Sequence, residues 1–384
     1  MMKKKYVLRT IKVLSLLFSV LICLGIGQKY IFFRVDNYND QVRMTGYYEE
    51  PENTIDVVLL GASEVYSDFS SPYEYKQYGF TSYPYSIGAS PGSLMKSQIK
   101  EIFSTQNPKL IVVEINGFLY DDSDILYSEV SMRRCIERIP FSVNKLQTIF
   151  SMTPPEEWIN YFFPVVTYHD NVKNVKSVLK LSKDTTDIQE RGFSLLKGNL
   201  TCNKIEVSKF DKNIKNDFSV ANIEPNAEAC LIDFLNYCKN EEIDNVIFTR
   251  FPHIISTEDS YERYKRGNQA EKIIKSYGFD FINFERNSDL IGLDYENDFF
   301  NDDHMNIYGQ QKFTKYLGNL LMNDYGITKS NLSDDVKKNW DTSVEYNDLF
   351  YEYCENKIEE GSDYWPYETS DLIQELDKLK ASKQ

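Results

Sequence analysis

The stretch IDVVLLGAS, residues 55–63, decides the fold class of this chain. Its first part, Ile55 to Leu60, is almost wholly apolar and too short for a helix, which is typical of a strand buried on both faces of a parallel sheet. Gly61 then permits a tight turn, and Ser63 follows directly after it. The run LIVVEI, residues 110–115, has the same character and predicts another central strand.

Around these two runs the chain alternates between short apolar stretches and helical patterns, as βαβ units do. The further predicted elements are strands at 81–87, 245–251 and 279–284 and helices at 93–103, 226–240, 259–276 and 306–322. The pattern predicts an α/β fold, a flavodoxin-like three-layer sandwich with a central parallel sheet. The alternation of strand and helix patterns stops between about 120 and 225, and we interpret this part of the chain as an inserted, mainly helical region.

This reading divides the chain into five parts: an anchor at 1–34, a first α/β part at 50–120, the insertion at 121–225, a second α/β part at 226–326, and a C-terminal extension at 327–384. Residues 331–384 carry 14 acids and 6 bases. We interpret the extension as a solvated surface appendage, an alternative to a partner-binding segment. It is expected to pack through Trp340, Phe350, Tyr353 and Trp365.

The amino end has the composition of a membrane segment. Five basic residues up to Lys12 precede an uncharged run from Val13 to Gln28, and the apolar stretch to Phe33 brings the segment to about 21 residues, the length of a membrane-spanning helix. The basic flank predicts that this end stays in the cytoplasm and that everything after Arg34 lies outside, in a single-pass membrane protein. The alternative is a cleaved signal peptide, for which Gly25 to Gly27 is a poor cleavage site.

Charge and composition exclude several functions. The 43 basic and 58 acidic residues give a net charge of −15, which disfavours binding to nucleic acid. Cysteine and histidine are not spaced as in zinc sites, so we predict neither a metal nor a cofactor. Of the 6 cysteines, Cys230 and Cys238 lie about 12 Å apart along one predicted helix, too far to be bonded, and at most one or two disulfides are expected.

Candidate site residues follow the predicted strands, because an open parallel sheet binds ligands at the carboxyl ends of its strands. Ser63 follows the first strand, Gly88 the second and Asn116 the third, and His304 lies just before the last helix in the run Asp302-Asp303-His304. Taken singly, a serine at the position of Ser63 is more often a helix N-cap than a nucleophile, Asn116 could equally be a turn former, and Asp302 could be a helix-start acid. Together they supply a nucleophile, a base, an acid to orient the base, and donors for an oxyanion.

The chain has only three histidines, which restricts any imidazole chemistry. Besides His304, His253 follows the fourth strand, either as a substrate-binding residue or as an exposed residue in a turn. His169 lies in the insertion beside Asp170, where it is a second candidate for substrate binding.

The order of these motifs resembles the SGNH/GDSL hydrolase superfamily. The runs 56–116 and 279–321, the latter containing DFFNDDHMNIYGQQKFTKYLG, look like membrane-anchored extracytoplasmic SGNH proteins associated with acylation of bacterial surface polysaccharides. The resemblance covers about 170 residues. It implies that Ser63 is the nucleophile, Gly88 and Asn116 are oxyanion-hole residues, and His304 is the general base.

One position departs from the pattern of that family. The family usually places an aspartate three residues before the histidine, where this chain has Asn301. Asp302 or Asp298 is then the substitute, or Ser63 and His304 act as a dyad. Without a carboxylate the imidazole tautomer is left unfixed, which costs orders of magnitude in rate.

Two main functions are therefore expected. The first is a serine esterase or O-acyltransferase outside the membrane, acting on a cell-surface glycan; the resemblance implies a membrane-bound O-acyltransferase as partner. The second is an inactive SGNH-like scaffold that binds glycan or that partner. A third, a flavodoxin-like phosphate or nucleotide binder, is disfavoured because Glu64 and Asp68 beside the Gly61 turn would repel phosphate.

Overall fold

A computed structural model describes residues 2–35, 38–119, 129–190, 195–205, 214–362 and 369–383. Its centre is a sheet of five parallel strands in the order β2-β1-β3-β4-β5. The strands are β1 (Val57–Gly61), β2 (Ser82–Ser86), β3 (Leu110–Glu114), β4 (Val246–Arg250) and β5 (Asp280–Asn283). This is the flavodoxin-like strand order, and the predicted fold class is confirmed.

Helices surround the sheet and fill the connections. In chain order they are α1 (Met2–Tyr30), α2 (Tyr38–Glu49), α3 (Ser63–Asp68), α4 (Ser71–Tyr78), α5 (Met95–Thr105), α6 (Glu129–Ile136), α7 (Val143–Met152), α8 (Trp158–Phe162), α9 (Pro164–Tyr168), α10 (Val175–Glu190), α11 (Pro225–Asn240), α12 (Glu258–Ser276), α13 (Ser288–Ile291), α14 (Ile307–Asn323), α15 (Asp334–Glu359) and α16 (Thr369–Ser382). A two-stranded antiparallel hairpin, β6 (Phe299–Asn301) and β7 (His304–Met305), precedes α14.

Alternating strand residues build two apolar layers, because successive side chains of a strand point to opposite faces. Val58 and Leu60 pack on one face with residues of α2, α5 and α11. Val57 and Leu59 pack on the other face with α3 and α14. The run that identified β1 in the sequence is apolar throughout because both of its faces are covered.

The predicted strands and helices of the α/β parts are found within a few residues of their expected ends. The structure adds elements that the periodicity did not reveal, namely α3, α4 and the β6–β7 hairpin. These elements have six, eight and five residues, too few to establish a hydrophobic period. Two of them carry candidate site residues, since Ser63 begins α3 and His304 lies in the hairpin.

The amino-terminal segment Arg9–Tyr30 is long and apolar enough to cross a membrane, and only 6% of it is buried inside the protein. The described part of the inserted region is mainly helical, as predicted, and packs against the end of α1. Asn171 Nδ2 donates to the carbonyl oxygens of Ile31 at 2.7 Å and Phe33 at 2.8 Å.

The C-terminal extension is more than a surface appendage. Trp340 on α15 is fully buried in the cluster that also contains β1 and α5, and its ring lies 5.0 Å from that of Tyr75. Phe350 is also buried, whereas Trp365 lies outside the described residues. Trp340 and Phe350 therefore pack as predicted, but α15 is part of the apolar core rather than a solvated appendage. Within the described residues no disulfide joins any of the six cysteines.

Candidate functional site

The carboxyl edge of the sheet gathers the candidate residues, because all five strands end on the same side. Ser63 follows β1 with one residue between, and it begins α3. The strand β7 lies against this helix: the backbone N–H of Met305 donates to Asp68 Oδ1 at 2.8 Å. This bond fixes the strand that carries His304 to the helix that carries Ser63, although 241 positions separate the two residues (304 minus 63).

Ser63 is half-buried, and its hydroxyl forms no hydrogen bond within the described part of the chain. The N-cap of α3 is Ala62, and no side chain caps this helix. Ser63 is therefore not the N-cap that its sequence position suggested. Its hydroxyl does not stabilise the start of α3 by a capping hydrogen bond.

His304 is oriented by an amide. Its Nδ1 lies 2.9 Å from Asn301 Oδ1, and the same oxygen accepts the backbone N–H of Asp303 at 3.0 Å. Because the backbone N–H can only donate, the Asn301 atom in this contact is the oxygen, and Nδ1 of His304 must carry its proton. The ring also stacks on Phe300 with centroids 5.2 Å apart.

The second ring nitrogen of His304 is consequently the basic one. Its Nε2 is buried and has no hydrogen-bond partner among the residues that the structure describes. Burial lowers the pKa of His304 below its usual value, although the charges of Glu64 and Asp303 oppose this shift. The imidazole is therefore neutral near pH 7, with an unoccupied lone pair on Nε2.

Asp302 does not orient the base, and that expectation is corrected. Its carboxylate accepts the hydroxyl of Ser256, and its carbonyl oxygen accepts the N–H of Ile254 at 2.8 Å. Asp298, the other carboxylate considered, pairs with Lys312 Nζ at 2.7 Å. In a tight hairpin the residue opposite His304 is Asn301, so the neighbouring positions point elsewhere.

Glu64, the residue after the candidate nucleophile, lies at the centre of a buried charge network. Burial alone would raise the pKa of its carboxyl, but His253 and His304 outweigh burial and lower the pKa to about 2. Its Oε1 lies 3.7 Å from His253 Nε2 and accepts a hydrogen bond from the amide of Asn116. Glu64 therefore supplies a negative charge close to His304.

His253 is buried, at 2% exposure, so the interpretation as an exposed turn residue is wrong. Its Nδ1 lies 3.2 Å from Glu285 Oε1 and 2.7 Å from the carbonyl oxygen of Phe251. Burial and the neighbouring Arg250 favour the neutral ring, but Glu285 and Glu64 together raise the pKa of His253 to about 10. The imidazolium therefore bridges two carboxylates behind the site.

Arg250, the last residue of β4, completes this network. It lies 3.1 Å from Glu285, 3.3 Å from Glu114 and 2.7 Å from Asn116 Oδ1. Burial and the charge of Glu64 raise the pKa of Glu114 to about 7, despite Arg250. The network, defined by Glu64, Glu114, Asn116, Arg250, His253 and Glu285, is buried throughout.

Asn116 has a structural task in this network. Its Nδ2 donates to Glu64 and its Oδ1 accepts from Arg250. A buried carboxylate needs such donors to offset its lost hydration. The oxyanion-hole role predicted for Asn116 therefore competes with the support of Glu64.

Gly88 is buried at the end of β2, as its predicted place requires. A Cβ at this position would overlap Nη2 of Arg134 and lie 3.4 Å from the hydroxyl of Tyr66. The guanidinium of Arg134, which pairs with Asp40 at 2.8 Å, thus occupies the space that a side chain at position 88 would need.

His169 is on the surface of the insertion, with 68% of its side chain exposed. Among the described residues its polar contacts lie within its own turn, with the carbonyl oxygen of Val166 at 2.9 Å and Asp170 at 3.4 Å. It does not join the buried network. Among the described residues, no group of three or more Asp, Glu, Cys or His side chains is arranged to hold a metal ion.

Sequence reasoning missed most of the buried network. The signal was present, since Glu114 and Arg250 are charged residues at the ends of otherwise apolar strands, where burial demands partners. Which partners they meet depends on the strand order, and the sequence alone does not give it. No protein-family model matches the chain, and neither does any curated protein.

Proposed function

We propose that this chain is an extracytoplasmic serine esterase or O-acyltransferase that acts on a cell-surface glycan. The observation that carries the proposal is the state of His304. Asn301 fixes its tautomer, and within the described part of the chain its buried Nε2 has no hydrogen-bond partner. The strand that carries His304 lies against the helix that starts with Ser63. A neutral imidazole with a free Nε2 is what a serine nucleophile requires as its base. The resemblance to SGNH hydrolases supports the same roles.

In the proposed reaction His304 Nε2 takes the hydroxyl proton of Ser63 while the serine oxygen attacks the ester carbonyl carbon. The bond to the leaving alcohol then breaks, and the alcohol receives the proton from His304. Water or a sugar hydroxyl attacks the acyl-serine next, with the same base, and Ser63 regains its proton. Hydrolysis and transfer differ only in this acceptor. Substrate binding must bring the two groups into hydrogen-bond contact, as apo sites often require.

Glu64 supplies the charge that Asn301 lacks. When His304 accepts a proton, the positive ring is stabilised by the nearby carboxylate, which Asn116 and His253 hold in place. In a serine triad one aspartate both orients the base and stabilises the imidazolium. Here these tasks are divided between Asn301 and Glu64.

The helix α1 would hold this site at the outer face of the membrane as a single-pass anchor, with the basic flank on the cytoplasmic side. A membrane-bound O-acyltransferase that delivers the acyl group is the partner implied by the resemblance. The anchor would keep the site within reach of such a donor.

A fluorophosphonate probe and turnover of an aryl acetate test the serine mechanism. The parent protein should be labelled and Ser63→Ala should not, because the probe reacts with an activated serine. His304→Ala should lower turnover by about 10²–10⁴-fold, the usual contribution of a general base. Asp302→Asn and His169→Ala are matched controls and should retain labelling and turnover. If His304→Ala retains full activity, the base is misassigned.

The inactive scaffold is the second candidate, and a specific observation favours it: the position of the orienting acid holds Asn301, and Asn116 is engaged by Glu64. A scaffold would bind glycan equally well with Ser63→Ala, and neither form would react with the probe. Labelling of the parent alone would exclude it.

A further inference from the structure

The inserted region carries most of the exposed apolar side chains of the described ectodomain. Outside α1, fourteen large apolar residues are exposed, and nine of them lie between 129 and 190. Soluble surfaces expose such residues singly, whereas a concentration of them marks an interaction surface. These nine are Val130, Phe141, Val143, Phe150, Ile159, Phe163, Val166, Val172 and Leu179.

Part of this set lies directly beside the end of the apolar helix α1. Gln28 Nε2 donates to the carbonyl oxygen of Phe162 at 3.4 Å, which places α8 against the last turns of α1. On α8 and in the turn after it, Ile159 is 55% and Phe163 41% exposed. Phe150 on α7 extends the surface, since its ring lies 4.6 Å from Trp158 and 5.8 Å from Phe162.

The helix α10 and the turn before it cross the end of α1. Asn171 contacts the carbonyl oxygens of Ile31 and Phe33, and Ser182 Oγ contacts that of Lys29 at 3.5 Å. Asn171 and Ser182 lie eleven positions apart, about 16 Å along a helix, whereas the carbonyls they contact belong to residues 29 to 33, at the end of α1 and just after it. A segment that crosses the end of a membrane-spanning helix runs along the membrane surface.

The first half of α10 has a basic outer face, whereas its second half carries the acids Asp184, Asp187 and Glu190. Residues 171–183 contain four lysines and no acid, although the whole chain has a net charge of −15. Lys176, Lys180 and Lys183 are exposed at helical spacing, and Val178 and Ser182 are buried on the opposite side. The fourth, Lys173, pairs with Asp170 at 2.8 Å.

We propose that this face of the insertion rests on the membrane surface, with Phe150, Ile159 and Phe163 in the interfacial region and the α10 lysines on anionic lipid headgroups. Apolar side chains beside a basic stripe are the features of a surface-bound amphipathic segment. The apolar residues alone would also suit a partner protein, but the lysines favour an anionic bilayer. The inference rests on α1 spanning the membrane and does not depend on the serine mechanism.

If the insertion rests on the membrane surface, the distance and orientation of the α/β domain relative to the bilayer are fixed. The chain would contact the membrane through both α1 and the insertion, so the α/β domain could not tumble freely on its tether. The height of the sheet edge above the lipid would be set by α7 to α10. This restricts the acceptor to molecules that approach within that fixed distance.

Trp158 is a natural probe for this contact, because it is half-buried within the proposed surface. The full chain is reconstituted into vesicles of phosphatidylcholine, alone or with about one quarter phosphatidylglycerol to supply negative surface charge. Lipids brominated high on the acyl chain should quench part of the tryptophan emission, approaching one third because the chain has 3 tryptophans. Trp158→Phe should remove that quenched part. If emission from Trp158 is unquenched in both lipids, the inference is wrong and the surface belongs to a protein partner.

The contribution of the three exposed lysines of α10 is tested with a variant that combines Lys176→Gln, Lys180→Gln and Lys183→Gln. Quenching of Trp158 in the anionic vesicles should fall to its level in phosphatidylcholine alone. The matched control combines Lys272→Gln, Lys315→Gln and Lys338→Gln, which removes the same charge from exposed lysines on other helices. The control should behave as the parent. Equal loss in both triple variants, or no loss in the first, would overturn the assignment of the stripe.

Discussion

One residue orients the ring of His304, and the charge of another stabilises its protonated form. Asn301 fixes the protonated nitrogen, and Glu64 supplies charge from α3. An amide can orient a ring, but it cannot stabilise the ring's positive form as a carboxylate does. The pH dependence of activity should therefore respond to residue 301 in a defined direction.

Asn301→Asp should move the acid limb of kcat/KM to higher pH. Burial lowers the pKa of His304, so the unmodified base stays neutral to a pH below its usual range. A carboxylate at Nδ1 favours the imidazolium and raises that pKa, so activity is lost at a higher pH on acidification. The plateau rate should rise, because the charged ring is better stabilised.

Asn301→Ala is the control for this variant. It removes the orienting acceptor without adding charge, and it should lower the rate about tenfold, the value of one hydrogen bond. The acid limb of its kcat/KM profile should not move to higher pH. An unchanged limb in Asn301→Asp would show that residue 301 does not contact the working base. Both profiles are measured with an aryl acetate.

His253 should make stability depend on pH. Its pKa is about 10 in the folded protein against a usual 6.5, so its contribution is complete below pH 6.5 and is lost as pH rises through 10. His253→Gln should lower the free energy of unfolding at pH 6 by about 3–5 kcal/mol, because two buried carboxylates lose their cation. The difference from the parent should shrink by pH 9.5.

Urea unfolding at the two pH values measures this difference. His169→Gln is the matched control, since the exposed ring of His169 has polar contacts within its own turn alone in the part of the chain that the structure describes. It should leave stability unchanged at both pH values. A difference for His253→Gln that is constant with pH would mean that the ring is not charged in the folded protein.

At the scale of elements, the β6–β7 hairpin positions His304 by its contacts with helices on two sides. Met305 bonds to Asp68 at the end of α3, and Asn306 caps α14 by accepting the N–H of Tyr308 at 2.9 Å. The hairpin is too short to be stable alone. Its geometry therefore depends on how closely α14 approaches it.

Gly309→Ala tests this dependence. A Cβ on this residue of α14 would overlap the carbonyl oxygen of Asp298 and lie 2.9 Å from Met305 Cβ. The helix or the hairpin must shift, which should cost about 1–3 kcal/mol and reduce turnover by displacing His304.

Gly267→Ala on α12 is the matched control. Its Cβ would meet Leu119 at 3.7 Å, an ordinary contact, and alanine favours a helix. Thermal unfolding and aryl acetate turnover should show loss in Gly309→Ala only. If both variants behave alike, the hairpin tolerates movement of α14.

At the scale of the whole molecule, the C-terminal extension belongs to the core. Ser70, the N-cap of α4, donates a hydrogen bond from its hydroxyl to Asn347 Oδ1 at 2.9 Å, and Trp340 packs on Tyr75 of α4. The acidic composition of this region describes its outer surface only. The α/β domain is therefore incomplete without α15.

Trp340→Ala should destabilise the entire protein. Removing a fully buried tryptophan costs about 3–5 kcal/mol through lost burial and a cavity. Leu290→Ala, at a 69% exposed position, should have almost no effect. Thermal unfolding measures both. A small effect of Trp340→Ala would restore the interpretation of the extension as an appendage.

The sequence by itself determined the strands, the layers and the long apolar helix, because burial on both faces and helical periodicity are local patterns. It also predicted Ser63 and His304 as the candidate nucleophile and base, since residues at the ends of strands and before helices can be read in order along the chain. Only the tertiary structure decided that Asn301, not Asp302, orients His304, and that Glu64 and His253 form a buried pair. Those contacts join residues up to 189 positions apart (253 minus 64), and they depend on strand order and hairpin geometry, which no local pattern encodes.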